Sequence, residues 1–266
     1  MPGTGSSSGV ASRSRSVNAC LLVLFSCFVL LSMSGSTYAR QPVCNPVRRQ
    51  YMKLHNLNHS PYASRVRALI RKAQLDVAIV APEAALRTEA FLQRYPMGKI
   101  PVLELDDGTQ IPDSWVIMEY LDAVAGAGLS PDTPLARAQM QLLVRYGDTC
   151  LSPGGLFPLF QLITTPGETD PESAAQAMAG LHQELARFER LLDTLPDFRG
   201  RGLHLGDIAL APQMDFVGML GPLFGEENPL QAYPLAQGWY DWVQGDAAVA
   251  ATSREMGAAV RAFLGP

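Results

Sequence analysis

The sequence predicts a small α/β domain, with element order βαβ followed by ββα, joined to a second domain built of helices alone. Three observations predict it. Strand-type segments are confined to residues 52–112, where β-branched and apolar residues sit between turn signals. The Gly/Pro-rich stretch Gly126 to Pro134 (GAGLSPDTP) then interrupts the pattern. Beyond it apolar residues recur at helical spacing as far as Phe263, with no convincing strand among them.

Each element has its own local warrant. Lys53 to Leu57 reads as a short strand, and Pro61 to Ala73 as a helix because Val66, Leu69, Ile70 and Ala73 recur at i, i+3, i+4 and i+7. Asp76 to Val80 is β-branched and apolar, the type of a buried strand. Ala84 to Arg94 is read as a second helix. Val102 to Leu105, the polar turn Asp106-Asp107-Gly108-Thr109, and Gln110-Ile111 make a hairpin pattern. Ser114 to Val124 puts Ile117, Tyr120, Leu121 and Val124 on one helical face. In the second half, Leu135 to Thr149 is a long helix expected to break at Ser152-Pro153-Gly154-Gly155. Leu181, Leu185, Phe188, Leu192 and Leu195 stripe another from about Glu172. Asp207 to Leu220, Leu235 to Val243 and Ala247 to Phe263 complete the set. The expected division is residues 52–125 for the α/β domain, 126–134 for the linker and 135–266 for the helical domain.

Composition narrows the function. Among the 266 residues, 47% are hydrophobic and 17% charged, enough apolar material for a real core, which excludes disordered and collagen-like classes. Residues 1–51 hold five Arg and no acidic residue, so all 25 acidic side chains and all but five of the 21 basic ones lie beyond them. That acidic remainder offers no nucleic-acid surface. Only Cys44 and Cys150 lie outside the apolar N-terminal run, so no disulfide framework, CxxC pair or zinc cluster is expected.

Residues 1–51 stand apart from the fold. Arg13 and Arg15 precede the apolar run Ala19 to Met33, and Thr37-Tyr38-Ala39 supplies a small-residue cleavage site, a secretory signal pattern. The run is 15 residues long, short of the roughly 20 that a spanning helix prefers, so no stable membrane anchor is expected. Met52-Lys53-Leu54 equally resembles a natural protein start, with the preceding segment read through from upstream. The first reading implies export and the second a cytoplasmic protein.

The chemistry concentrates between residues 52 and 122. Ser60-Pro61 and Asp113-Ser114 each open a helix, and Ile100-Pro101 leads the strand between them. Free backbone N–H groups and the positive dipole end favour an anion at a helix N-terminus, so the two can converge on one small anionic ligand. Ser60 is an ordinary N-cap by position; its hydroxyl is equally able to donate to a thiolate, which lowers a thiol pKa from about 8.5 towards neutrality. Pro101 can simply begin an edge strand. Lys99 reads as a solvated charge and Asp113-Ser114 as a helix start.

Four segments in order, MKLHNLNHSPYASRVRALI, YPMGKIPVLELDDGTQIPDSWVIMEYLD, LGDIALAP and PLAQGWYDWV, resemble the serine-type glutathione transferases. The resemblance covers residues 52 to about 263. It implies a thioredoxin-like N-terminal domain holding glutathione as co-substrate, and a helical domain supplying a pocket for a small apolar electrophile from residues such as Leu156, Phe157 and Phe160. A homodimer is implied as well. In that family the activating Ser stands six residues before the Val of an xVR sequence, as Ser60 stands before Val66; His59 and Tyr62 are the reserves. The resemblance makes Pro101 cis, with the backbone of Ile100 paired to the cysteinyl unit, and gives Lys99 to the glycyl carboxylate. Ser114 would receive the γ-glutamyl carboxylate and Asp113, in place of the usual Glu, its ammonium. No metal is implied. The alternative is a relative that keeps the fold as a non-catalytic binding module. The family's Ser/Thr-x-x-Asp capping box becomes His204-Leu205-Gly206-Asp207, leaving one half of the reciprocal cap in question. Trp239, Tyr240 and Trp242 are expected to pack against the N-terminal domain.

Overall fold

The computed structural model describes residues 51–167 and 170–265, so the signal-like segment lies outside the described residues. The described residues form one compact unit. Its first part is a four-stranded sheet of order β2-β1-β3-β4, built from β1 (Met52–His55), β2 (Val77–Val80), β3 (Val102–Glu104) and β4 (Gln110–Pro112). β1 runs parallel to β2 and antiparallel to β3, and β3 antiparallel to β4. α1 (Pro61–Lys72) crosses between the parallel pair and α3 (Ser114–Ala125) follows the hairpin. This is the expected thioredoxin-like βαβ-ββα order.

The period-2 alternation of the strands sorts the two faces of the sheet. Leu54 and Leu103 turn to the side where Val66, Leu69, Ile117 and Leu121 of α1 and α3 are buried. Val102 turns to the other side, with Phe91 and Tyr95. β2 corrects the reading of a buried strand: it is an edge strand, with Ile79 47% exposed. The second helix is also shorter than expected. α2 spans Glu89–Arg94, because Arg87 has φ 65° and the Thr88 hydroxyl caps the helix by accepting from Phe91 N at 3.2 Å.

The rest of the unit is helical: α4 (Pro134–Tyr146), α5 (Phe157–Thr164), α6 (Pro171–Thr194), α7 (Leu205–Leu220), α8 (Pro234–Gln244) and α9 (Ala247–Leu264). The expected break at Ser152-Pro153-Gly154-Gly155 does not occur. α4 runs through a π-helical segment, Gly147–Leu156, directly into α5. Pro153 has no N–H to give, and the glycines let α6 lie against the segment: a Cβ on Gly180 would stand 2.7 Å from the Gly154 carbonyl oxygen. Among the described residues no helix is long and apolar enough to cross a membrane.

α7 is buried along nearly its whole length and packs against α1, α4, α8 and α9. Its N-terminus overturns the doubt about the cap, because His204 substitutes for the hydroxyl residue. The His204 N–H donates to Asp207 Oδ2 at 3.0 Å, and His204 Nδ1 lies 3.3 Å from Asp207 N and 2.9 Å from Oδ2. Arg201 clamps both oxygens of Asp207, and Trp239 Nε1 donates to Oδ1 at 2.9 Å. The aromatic group of α8 therefore packs within the helical half and not against the N-terminal elements. Trp239 meets Phe188 edge-on, Trp242 meets Phe198, and Tyr240 donates to Asp215 at 2.7 Å.

Burial works against the charge of Asp207, but the hydrogen bonds from Arg201 and His204 outweigh it and bring its pKa from the ordinary 3.8 to about 2. The folded-state pKa is depressed, so this stabilisation is present above about pH 4 and is lost as the pH falls through about 2. Asp207→Ala, which strands the Trp239 N–H and the Arg201 guanidinium, is expected to lose about 3 kcal/mol in urea unfolding at neutral pH. That deficit should shrink as the titration approaches pH 2.

Candidate functional site

Ser60 caps α1. Its backbone is extended, φ −81° and ψ 124°, its Oγ accepts from Ala63 N at 3.3 Å, and Pro61 occupies the first turn. A hydroxyl that accepts inside its own helix keeps its proton for an outside acceptor, so cap and donor are one geometry. The loop ahead of it is braced by Arg67, a buried side chain that donates to Asn56 Oδ1 at 2.7 Å and to the Asn58 carbonyl at 3.1 Å. The reserves on either side are engaged elsewhere. His59 stacks on Phe263. Tyr62 lies along Arg65 with its hydroxyl beside Ser152; burial raises its pKa, offset in part by that hydrogen bond, and keeps it the neutral phenol.

The Ile100-Pro101 peptide is cis, as the resemblance implies, and leads into β3. Lys99 is exposed and lines a cavity of about 200 Å³ with Met97, Val102 and Pro112, between the end of α2 and β4. A polar cluster ties α2 to the sheet. Buried Tyr95 bonds His55 Nδ1 at 2.9 Å and accepts from Glu83 N at 3.2 Å, while His55 Nε2 meets Glu104 at 3.1 Å. The ligand atoms of His55, Glu83 and Glu104 converge within 4.8 Å, but the Arg94 guanidinium already pairs with both carboxylates.

Asp113 opens α3 from the left-handed region, φ 71°, with Oδ1 accepting from Trp115 N at 2.9 Å and Val116 N at 3.2 Å. Such a positive φ is uncommon outside glycine. Ser114, next to it, is 3% exposed, and its Oγ accepts twice from Arg65, from Nε at 2.9 Å and Nη2 at 2.6 Å. With both acceptor positions taken, the hydroxyl retains only its proton to offer. Arg65, itself 1% exposed, reaches on to Asp148 Oδ1 in the π-helical segment at 3.0 Å, and Gln213 of α7 donates to the same oxygen at 3.3 Å.

Arg65, Asp148 and Gln213 were missed in the sequence. Arg65 carried a signal: it stands at i, i+4 to Leu69, so the apolar stripe of α1 contains a charge that must be paired when buried. Asp148 carried none. Of the apolar residues expected to line a second pocket, Leu156 is core, Phe157 is 50% exposed, and Phe160 stands near Phe263 and Phe216. A cavity of about 890 Å³ lies instead between α5 and α6, and its lining includes neither Ser60 nor Asp113 and Ser114.

The chain can be set beside known proteins on this geometry. Residues 54–128 match the family model described as the glutathione S-transferase N-terminal domain. A probable glutathione S-transferase of rice is 30% identical over 194 residues, which cover 70% of this chain and 81% of that protein. Elongation factor 1-gamma of goldfish is 26% identical over 194 residues, 69% of this chain and 41% of its own. A glutathione S-transferase of Methylobacillus flagellatus, solved with GSH bound, superposes at a TM-score of 0.62 with 25% identity, covering 76% of this chain and 98% of its own. With the thioredoxin-like sheet, the two capped helix N-termini and a similarity that spans most of its relative's length, this chain belongs to the glutathione S-transferase family.

Proposed function

We propose that this protein binds glutathione and activates its thiol for attack on a small apolar electrophile, or for related peroxidase or isomerase chemistry. One observation carries the reading: both helix N-termini hold a serine hydroxyl, Ser60 accepting from Ala63 N and Ser114 accepting twice from Arg65, and each keeps a proton to donate. In this reading Ser114 and the first N–H groups of α3 receive the γ-glutamyl carboxylate, and Asp113 meets the ammonium. Ile100 offers its backbone to the cysteinyl unit and Lys99 its charge to the glycyl carboxylate. Ser60 then donates to the sulfur as it ionises, the dipole of α1 favouring the same charge. The tripeptide is held before reaction, so the thiolate forms where the electrophile arrives.

A second reading is favoured by the similarity to elongation factor 1-gamma: a protein that keeps the fold as an interaction module. The hydroxyls at positions 60 and 114 support the enzyme. The family resemblance also supports a homodimer, for which Val116 of α3 and Leu142 of α4 offer exposed apolar surface. A start at Met52 would make the protein cytoplasmic and cleavage after Ala39 would make it exported; mass spectrometry of the native N-terminus distinguishes them.

Replacing Asp113 and Ser114 together by Ala is expected to weaken glutathione binding at least about tenfold, since hydrogen bonds to charged groups contribute about 1.5 to 3 kcal/mol each. Calorimetry reads this directly, and absence of binding by the unmutated protein overturns the enzyme reading. Ser60→Ala should leave affinity nearly intact and raise the pKa of the bound thiol by about one unit, about 1.4 kcal/mol. Thiolate absorbance followed against pH would show it. If the two titrations coincide while urea unfolding reveals a loss of about 0.5 to 2 kcal/mol, Ser60 serves only as the helix cap.

A further inference from the structure

In the second half of α7 a carboxyl group is buried without a cation. Asp215 is 3% exposed, and its Oδ1 accepts from the Tyr240 hydroxyl at 2.7 Å and from Gln244 Nε2 at 2.9 Å, both on α8. Gln244 Nε2 turns its other hydrogen to Ser253 Oγ of α9 at 3.0 Å, so the group spans three helices. Asp215 Oδ2 is buried as well and accepts no hydrogen bond of good geometry.

On the elements packed against α7 the charged groups turn elsewhere. Arg65 of α1 pairs with Asp148 of the π-helical segment, Arg71 with Glu255 and Lys72 with Asp246. Arg145 of α4, Asp241 of α8 and Arg254 of α9 are exposed. Among the described residues no cation meets Asp215. An ionised carboxylate in such a place keeps most of its desolvation cost. A proton taken from solvent onto Oδ2 removes that cost and gives the orphaned oxygen a hydrogen to donate towards Ser253. Burial accordingly pushes the carboxyl from the ordinary 3.8 up to about 6, tempered by the Ser253 hydroxyl nearby and by the bonds from Tyr240 and Gln244. Burial and Asp215 together raise the pKa of Tyr240, which stays a neutral phenol.

We propose that Asp215, Tyr240, Gln244 and Ser253 form a proton-operated latch, which holds α9 against α7 and α8 while the carboxyl is neutral and loosens it when the carboxyl ionises. α9 also lies along α1, where Arg71 donates to Thr252, the neighbour of Ser253, so the latch secures the helix that braces α1. The folded-state pKa is raised, so the stabilisation is complete below 3.8 and is lost as the pH rises through about 6. This inference stands apart from the glutathione reading, because it needs no ligand.

Urea unfolding of the full chain and of Asp215→Asn, each from pH 5 to pH 8, tests the latch. Asn keeps an acceptor for Tyr240 and Gln244 but carries no titrating group, so the folding equilibrium constant of the unmutated protein should fall about tenfold relative to that of the variant over this range. Hydrogen exchange compared between the two proteins at one pH should show the α9 amides about tenfold less protected in the unmutated protein at pH 8, and nearly equal at pH 5. Tyr240→Phe takes a donor from the ionised form, and the pH at which stability stops falling should rise by about one unit. This second variant serves as the test if Asp215→Asn does not fold. Stability curves that stay parallel in Asp215→Asn, equal α9 protection at pH 8, or an unmoved plateau in Tyr240→Phe overturns the latch.

Discussion

A single buried guanidinium holds the site together. Arg65 is 1% exposed, and a cation so far from water must be paired and hydrogen-bonded on every accessible side. It meets that requirement by using two donors on Ser114 of α3 and two on Asp148 of the π-helical segment. One side chain of α1 therefore fixes the hydroxyl at the start of α3 and binds both to the helical half. A geometry of this kind is rigid because loosening any member leaves a charge stranded in low dielectric.

The helical half is arranged to put Asp148 where Arg65 needs it. A π-helical turn carries one more residue than an α turn, and such segments concentrate at functional positions. Here the segment turns Asp148 towards α1, while Gly154 and Gly155 let α6 approach from the opposite side. Gln213 of α7 donates to Asp148 and to Ser152 at 2.8 Å, joining the segment to the central helix. α7 is anchored in turn at its N-terminus by Asp207, whose carboxylate gathers Arg201, His204 and Trp239. Two of the buried polar clusters on α7 are thus the Asp207 cap at its N-terminus and, further along, the contacts that run from Gln213 through Asp148 and Arg65 to Ser114 at the N-terminus of α3.

The elements that the sequence disclosed were those whose signal is local. The periodicity of Val66, Leu69 and Ile70 located α1, and Ser60-Pro61 located its first turn. Asp113 was recognisable as a cap from its place before a helical stripe, though not that it would hold φ 71° while doing so. Two short elements misled for physical reasons. β2 has the composition of a buried strand and lies at the sheet edge, because composition records β-preference and not neighbours. Pro153 and the glycines around it read as a helix stop, yet the π spacing and the packing of α6 absorb them.

By itself the sequence determined the order of strands and helices, the two helix N-termini opened by Ser60 and by Asp113-Ser114, and the family resemblance carried by the segments around Ser60, Pro101 and Asp113. These depend on hydrophobic period, capping chemistry and turn residues, all set within a few positions along the chain. The tertiary structure alone decided the pairing of Arg65 with Asp148, 83 residues apart, and the stacking of His59 on Phe263. Neither has a local signature, because a buried charge or an exposed ring selects its partner by proximity in the folded chain and not by distance along it.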